Sequence, residues 1–121
     1  MLQQPLFAFS YLQVEGNTVK TTIKLNPLHP IFKGHFPGNK ILPGVCMLQM
    51  VKAVVEAHTE KKIKLISGQD LKFLSVIDPE KSTMIRMDLK IDIEDERIRI
   101  VAQLLDNAIV FFKFKGTFVQ Q

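Results

Sequence analysis

The sequence predicts an α+β domain in which one helix lies against a long antiparallel sheet. Val45 to Thr59 has no Pro or Gly, and its apolar residues cover most of a helical circumference. Stretches of alternating apolar and polar residues recur before and after it. Those stretches are joined by short polar turn pairs, which connect antiparallel neighbours rather than parallel ones.

Leu6 to Val14, apolar and aromatic, is predicted as the first strand, and Gly16-Asn17 as a turn. Thr18 to Leu25 then alternates, with Val19, Thr21, Ile23 and Leu25 on one face and Thr18, Lys20, Thr22 and Lys24 on the other. Asn26 to Gly44 holds Pro27, Pro30, Pro37 and Pro43 with Gly34, Gly38 and Gly44, a density of backbone punctuation that forbids long regular structure. A loop of this length in a small domain is usually functional. In the helix that follows, Gln49, Lys52 and Glu56 form one narrow polar stripe. A helix that is apolar nearly all round is a buried one, so the sheet is expected to wrap it.

The second half supplies that sheet. Ile63 to Ile77 is expected to form one or two strands around Ser67-Gly68. Thr83 to Ile93 alternates with Ile85, Met87, Leu89, Ile91 and Ile93 inward, and Glu94-Asp95 marks a turn. Arg97 to Leu105 places Ile98, Ile100, Ala102 and Leu104 on one face. After a turn at Asp106-Asn107, Ala108 to Val119 forms a last strand rich in Phe.

Composition narrows the function classes. The 121 residues suit one domain over 1–121, with 46% hydrophobic and 23% charged residues, as in ordinary globular chains. One cysteine, Cys46, allows no internal disulfide, which fits a reducing cytoplasm. Neither a signal peptide nor a membrane span is expected. The net charge of +4 is mild, and no zinc-finger spacing or basic helix accompanies it, so neither a metal site nor nucleic-acid binding is expected.

The loop itself is the most specific feature. His29-Pro30-Ile31-Phe32-Lys33-Gly34 leads into His35-Phe36-Pro37-Gly38-Asn39-Lys40-Ile41-Leu42-Pro43-Gly44-Val45. This run closely resembles the signature of (3R)-hydroxyacyl-acyl-carrier-protein dehydratases: Gly-His-Phe-Pro-Gly, a short apolar link, then Pro-Gly-Val opening the central helix. Leu71 to Pro79 resembles the second conserved strand of that family, which usually ends in Pro-Gly-Asp; Glu80 stands here in place of its Gly. The resemblance covers roughly Leu6 to Val119. It implies the hot-dog fold, a central helix wrapped by a curved antiparallel sheet, with two protomers sharing one continuous sheet.

The chemistry implied is removal of a proton from C2 of a 3-hydroxyacyl thioester and expulsion of the C3 hydroxyl as water. His35 matches the family's general base, a role suited to a group that titrates near neutrality. Gly44 and Val45 open the helix, where free N–H groups and the helix dipole favour a developing enolate oxygen. Phe36 and Pro43 complete the expected substrate contacts. The family's acid, a Glu or Asp five residues after the helix-opening Gly, falls here on Gln49. A carboxamide has no proton to transfer in the useful range, though it still hydrogen-bonds a hydroxyl or water. Glu56 is too far along the helix to replace it, about 10 Å at ~1.5 Å per residue.

In the family, His and acid of one site come from different protomers. The implied partners are therefore an acyl carrier protein, whose phosphopantetheine carries the substrate so that no separate cofactor is needed, and a second chain. That chain is a copy of this one in a homodimer, or an acid-bearing paralogue in a heterodimer. Three readings stand: a dehydratase impaired as a homodimer, a hot-dog thioesterase in which His35 or Gln49 positions a hydrolytic water, and a non-catalytic partner subunit.

Other candidates have plainer readings. His29 is expected to structure the loop, and His58 to complement the dipole at the helix C-terminus. Cys46 in the first helical turn is expected to be a buried structural residue rather than a thiolate. Phe111, Phe112, Phe114 and Phe118 are expected in core or dimer packing, with an acyl-tunnel lining as the alternative for one or two. Lys40, Lys52, Lys72 and Arg86 divide between contacts to an acidic carrier and ordinary surface charge.

Overall fold

The computed structural model describes residues 5–33 and 40–121. Strands β1 (Phe7–Phe9), β2 (Gln13–Glu15) and β3 (Thr18–Leu25) precede the loop. Helix α1 (Gly44–Thr59) follows it, then β4 (Ile63–Phe73), β5 (Met84–Glu94), β6 (Arg97–Asp106) and β7 (Ile109–Gln120). All pairings are antiparallel, in the order β1-β3-β5-β6-β7-β4, with β2 also pairing β3. One helix and one seven-stranded antiparallel sheet make the α+β class expected from the periodicities.

Alternation of side chains sets which face is dry. Val19, Ile23 and Leu25 of β3, Ile85, Met87, Leu89 and Ile91 of β5, and Ile98, Ile100, Ala102 and Leu104 of β6 are buried in one core. Phe111, Phe112, Phe114 and Phe118 of β7 join them, as does the helix face carrying Cys46, Met47, Met50, Val51, Val54 and Val55. A register shift at Leu104/Leu105 lets two consecutive residues, Phe111 and Phe112, both be buried, which strict alternation would forbid. Phe112 stacks with Phe114 at 6.4 Å between ring centroids, and Phe114 meets Phe118 at 6.0 Å.

Several expectations are corrected. The single strand expected over Leu6 to Val14 is two short ones, β1 and β2. Ser10 lies at the break: its Oγ accepts the Thr22 N–H and its carbonyl accepts the Thr21 hydroxyl, satisfying the one buried hydroxyl of β3. Of the one or two strands expected over Ile63 to Ile77 there is one, Ile63–Phe73, with register shifts at Leu65/Ser67 and Gly68/Asp70 around the expected Ser67-Gly68 break. Ile93 is half exposed rather than inward, because it lies at the hairpin end of β5. The turns lie one residue later than expected, at Asp95-Glu96 and Asn107-Ala108. With Gly16-Asn17, all three hairpin loops place their first residue at positive φ: Gly16, Asp95 and Asn107. Gly, Asp and Asn are the residues that tolerate that region best.

The helix packs against the sheet as expected, but with one face rather than nearly all round: Val45 is 62% exposed, and Gln49, on the expected polar stripe, is exposed as well. Among the described residues no helix is long and apolar enough to cross a membrane.

The helix ends at Glu60, which is left-handed (φ 58°, ψ 33°) and donates its N–H to the Glu56 carbonyl. A β-carbon in that conformation costs about 1–2 kcal/mol, which glycine avoids at some cost in unfolded-state entropy. Glu60→Gly is therefore expected to stabilise the domain by roughly 0.5–1 kcal/mol. Urea unfolding should show a higher midpoint with an unchanged slope.

Candidate active site

Two segments meet at the start of α1. The Leu42 N–H donates to the Ile77 carbonyl at 2.9 Å, tying the end of the Pro/Gly loop to the segment after β4. Leu42 and Ile77 are both buried there, as is Pro79. Lys40 adds a second tie: its Nζ donates to the Pro27 carbonyl at 3.1 Å and pairs with Glu80 at 2.9 Å. Glu80, which stands where the resemblance expects Gly, is thus the ion partner of the loop. At the other end of the loop His29 caps a short 3-10 turn, Pro30–Phe32, its Nδ1 accepting the Ile31 N–H at 3.0 Å. The structuring role expected for His29 is what the structure shows.

Pro43 is the N-cap, extended at φ −60° and ψ 142°, and supplies no side-chain cap. No acidic residue lies in the first turn. Cys46 N–H turns back to the Pro43 carbonyl at 3.0 Å, whereas the N–H groups of Gly44 and Val45 make no bond to another described residue. They are the donors that a helix start leaves free, and the uncompensated dipole makes this end favourable for negative charge.

Phe73, the last residue of β4, covers this end. A β-carbon built on Gly44 would lie 2.7 Å from two atoms of its ring, closer than carbon atoms approach. Only glycine lets the ring sit against the helix start. Phe73 stacks on Phe112 at 5.1 Å and 24°, so the core aromatic row continues to the helix N-terminus, yet Phe73 stays 53% exposed. Sequence reasoning did not single it out as a site residue, because the approach links positions 29 residues apart. The available signal was its place at the head of the second motif.

Gln49 lies one turn beyond Val45 on the same exposed helix face, where side chains four apart are neighbours. Its amide makes no hydrogen bond among the described residues, in contrast to Glu56, whose Oε2 accepts the Ile63 N–H at 2.9 Å. Glu56 is thereby held at the far end of the helix. Burial pushes the Cys46 thiol up from its ordinary pKa, which keeps it protonated and supports the structural reading of that residue. His58 is in the last turn, as expected from the dipole. Lys72 and Arg86 have acidic neighbours in Asp70 (3.7 Å) and Asp88 (2.9 Å). Among the described residues, no group of three or more His, Cys, Asp or Glu could hold a metal ion. His35 and Phe36 lie outside the described residues.

The structure therefore brings together Pro43, Gly44, Val45 and Gln49 and adds Phe73. The arrangement presents two N–H donors without partners among the described residues beside an exposed aromatic ring, with a carboxamide one turn along the helix. Such a site can hold an oxyanion or carbonyl oxygen against the helix start and a hydroxyl or water at the amide.

Comparison with known proteins gives the family and the fold. A family model described as ApeI-like, ApeI dehydratase, matches residues 11–110. The 3-hydroxyacyl-[acyl-carrier-protein] dehydratase FabZ of Caulobacter sp. (strain K31) is 31% identical over 88 residues, covering 72% of this chain and 50% of the relative. The chain thus matches about half the length of that curated relative. Among solved structures, the dehydratase heterocomplex ApeI:P from Xenorhabdus doucetiae superimposes with a TM-score of 0.73 at 17% identity, covering 93% of this chain and 97% of that one. An acyl-CoA hydrolase from Staphylococcus aureus superimposes with a TM-score of 0.53 at 14% identity, covering 86% and 63%. The fold is the hot dog.

Gly44→Ala should lower stability by about 1–3 kcal/mol, because the added methyl must displace the Phe73 ring. In a Phe73→Ala background the same change should cost much less. Chemical denaturation of the four variants of this cycle measures the coupling.

Proposed function

Because this chain belongs to the ApeI-like dehydratase family, we propose that it binds carrier-linked 3-hydroxyacyl or enoyl thioesters at the start of α1. We propose further that Gln49 leaves it unable to complete dehydration efficiently by itself. The observation that carries this reading is the helix start, where the N–H groups of Gly44 and Val45 have no partner among the described residues, beside Phe73 and with Gln49 on the same exposed face. The thioester carbonyl accepts from those N–H groups, the acyl chain follows Phe73, and the Gln49 amide binds the C3 hydroxyl without protonating it. His35, matching the family's base, would take the C2 proton.

A second chain completes the site in this reading. Leu65, Leu71 and Phe73 of β4 pair across to Phe118, Phe114 and Phe112, so they continue the dry face of the sheet. Yet they are 40–53% exposed, and Val45 on the helix is 62% exposed. Among the described residues the strand β4 is also an edge, paired on one side alone. Exposed apolar surface along an unpaired edge is a pairing surface. Covering it would desolvate position 49, and desolvation is what raises a carboxyl pKa toward the range useful for an acid. A partner with Glu or Asp at that position would then serve His35 of this chain, and the heterocomplex nature of its structural relative in Xenorhabdus supports such an assembly.

Two outcomes follow. Hydration of an enoyl thioester should be slow with the wild-type chain and about 10²–10⁴-fold faster with Gln49→Glu or with an acid-bearing partner added. Equal rates for wild type and Gln49→Glu contradict the proposal, and release of free thiol in place of hydration supports thioester hydrolysis instead. Sedimentation should show a dimer for the wild-type chain, or a complex with the acid-bearing partner. Leu71→Lys, which places a charge on the exposed apolar edge, should shift either one toward the monomer.

A further inference from the structure

The sheet face turned away from α1 carries a groove of about 490 Å³ that the reading above does not use. Its floor includes Val101 of β6, an apolar side chain 51% exposed between polar neighbours on the adjoining strands. Register places Lys90, Val101 and Lys115 side by side on β5, β6 and β7. The neighbouring row runs Lys20, Asp88, Gln103, Lys113 across β3, β5, β6 and β7. Four lysines thus ring one apolar residue.

Two carboxylates also line the groove, and both are engaged by cations outside its lining. Asp88 accepts from Nε and Nη2 of Arg86 at 2.9 and 3.0 Å, and Asp70 pairs with Lys72 at 3.7 Å. Partial burial pushes the Asp88 carboxyl up, but Arg86, Gln103 and Lys20 outweigh it and hold the group below its usual range. Asp88 is therefore already ionised and satisfied. Among the described residues, Lys20, Lys90, Lys113 and Lys115 form no ion pair within 4.0 Å.

We propose that this groove docks an acidic amphipathic segment of a protein partner, with one apolar side chain on Val101 and carboxylates spread over the surrounding lysines. The spacing selects this chemistry. Lys90 and Lys115 are two strands apart, about 10 Å, and Lys20 and Lys113 three strands apart, about 14 Å. One phosphate group needs donors that converge on a point, whereas these cations stand around an apolar centre. An acidic helix or extended segment offers dispersed carboxylates and an apolar side chain at that scale. The groove lies across the sheet from the helix, so its occupation and turnover are separate events.

The test uses the full chain and a fluorescein-labelled amphipathic Glu/Leu peptide of about 15 residues, long enough to form helix on binding. Fluorescence anisotropy should show binding that weakens at least ~10-fold from about 50 to about 300 mM salt, as screening shortens the reach of the lysines. Lys113→Glu/Lys115→Glu should weaken it at least ~10-fold, and Val101→Ser several-fold. Lys61→Glu, outside the groove, should leave it unchanged. Thermal unfolding verifies each variant, and Lys20→Ala/Lys90→Ala replaces the charge reversal if that variant is unfolded. Absence of peptide binding overturns the proposal, and so does an equal loss from Lys61→Glu. Competition by inorganic pyrophosphate with no effect of Val101→Ser overturns it in favour of a phosphate site.

Discussion

The dry face of this sheet is wider than one helix can cover. Four long strands, β3, β5, β6 and β7, bury apolar residues on one side, and α1 lies against them with a single face. What remains uncovered is the inner face of β4 and the outer face of the first turns of α1. Apolar area left in water costs about 25 cal/mol per Å², so large side chains half exposed in a contiguous strip carry a drive toward association. The same strip holds the start of the helix and Gln49, so in the proposed reading the surface that takes a partner and the surface that carries the chemistry coincide.

That coincidence explains why small local features matter. Gly44 permits the Phe73 ring to reach the helix start, and Phe73 in turn joins the core aromatic row through Phe112. The loop before the helix is fastened to the segment after β4 by Leu42 and Ile77 and by Lys40 and Glu80. The exposed Lys40–Glu80 pair contributes at most ~1 kcal/mol, so it orients the loop more than it stabilises the fold. The N–H groups of Gly44 and Val45 are thus held in place by contacts from two distant parts of the chain.

Much of this was legible in the sequence because periodicity is a local signal. β3 has the bounds that its alternation predicts, and β5, β6 and β7 follow theirs within about two residues. The Pro/Gly loop and the helix start after Pro43 were legible through backbone chemistry. The break at Ser10 was not, since it depends on one hydroxyl bonding a strand formed later in the chain. Nor was the exposure of Val45: an apolar helix announces that it will be buried, but not by which chain. Phe73 was missed for a related reason, because its contact with Gly44 is made in space and leaves no pattern in the sequence.

The central claim is that the strip formed by β4 and the first turns of α1 is covered by a second chain. Amide hydrogen exchange tests it most directly, at the β4 N–H groups that do not pair with β7. The account predicts that these amides are strongly protected at micromolar protein and lose protection on dilution, or gain it when an acid-bearing partner is added. Rapid exchange at every concentration and with every such partner, while β7 remains protected, would contradict it.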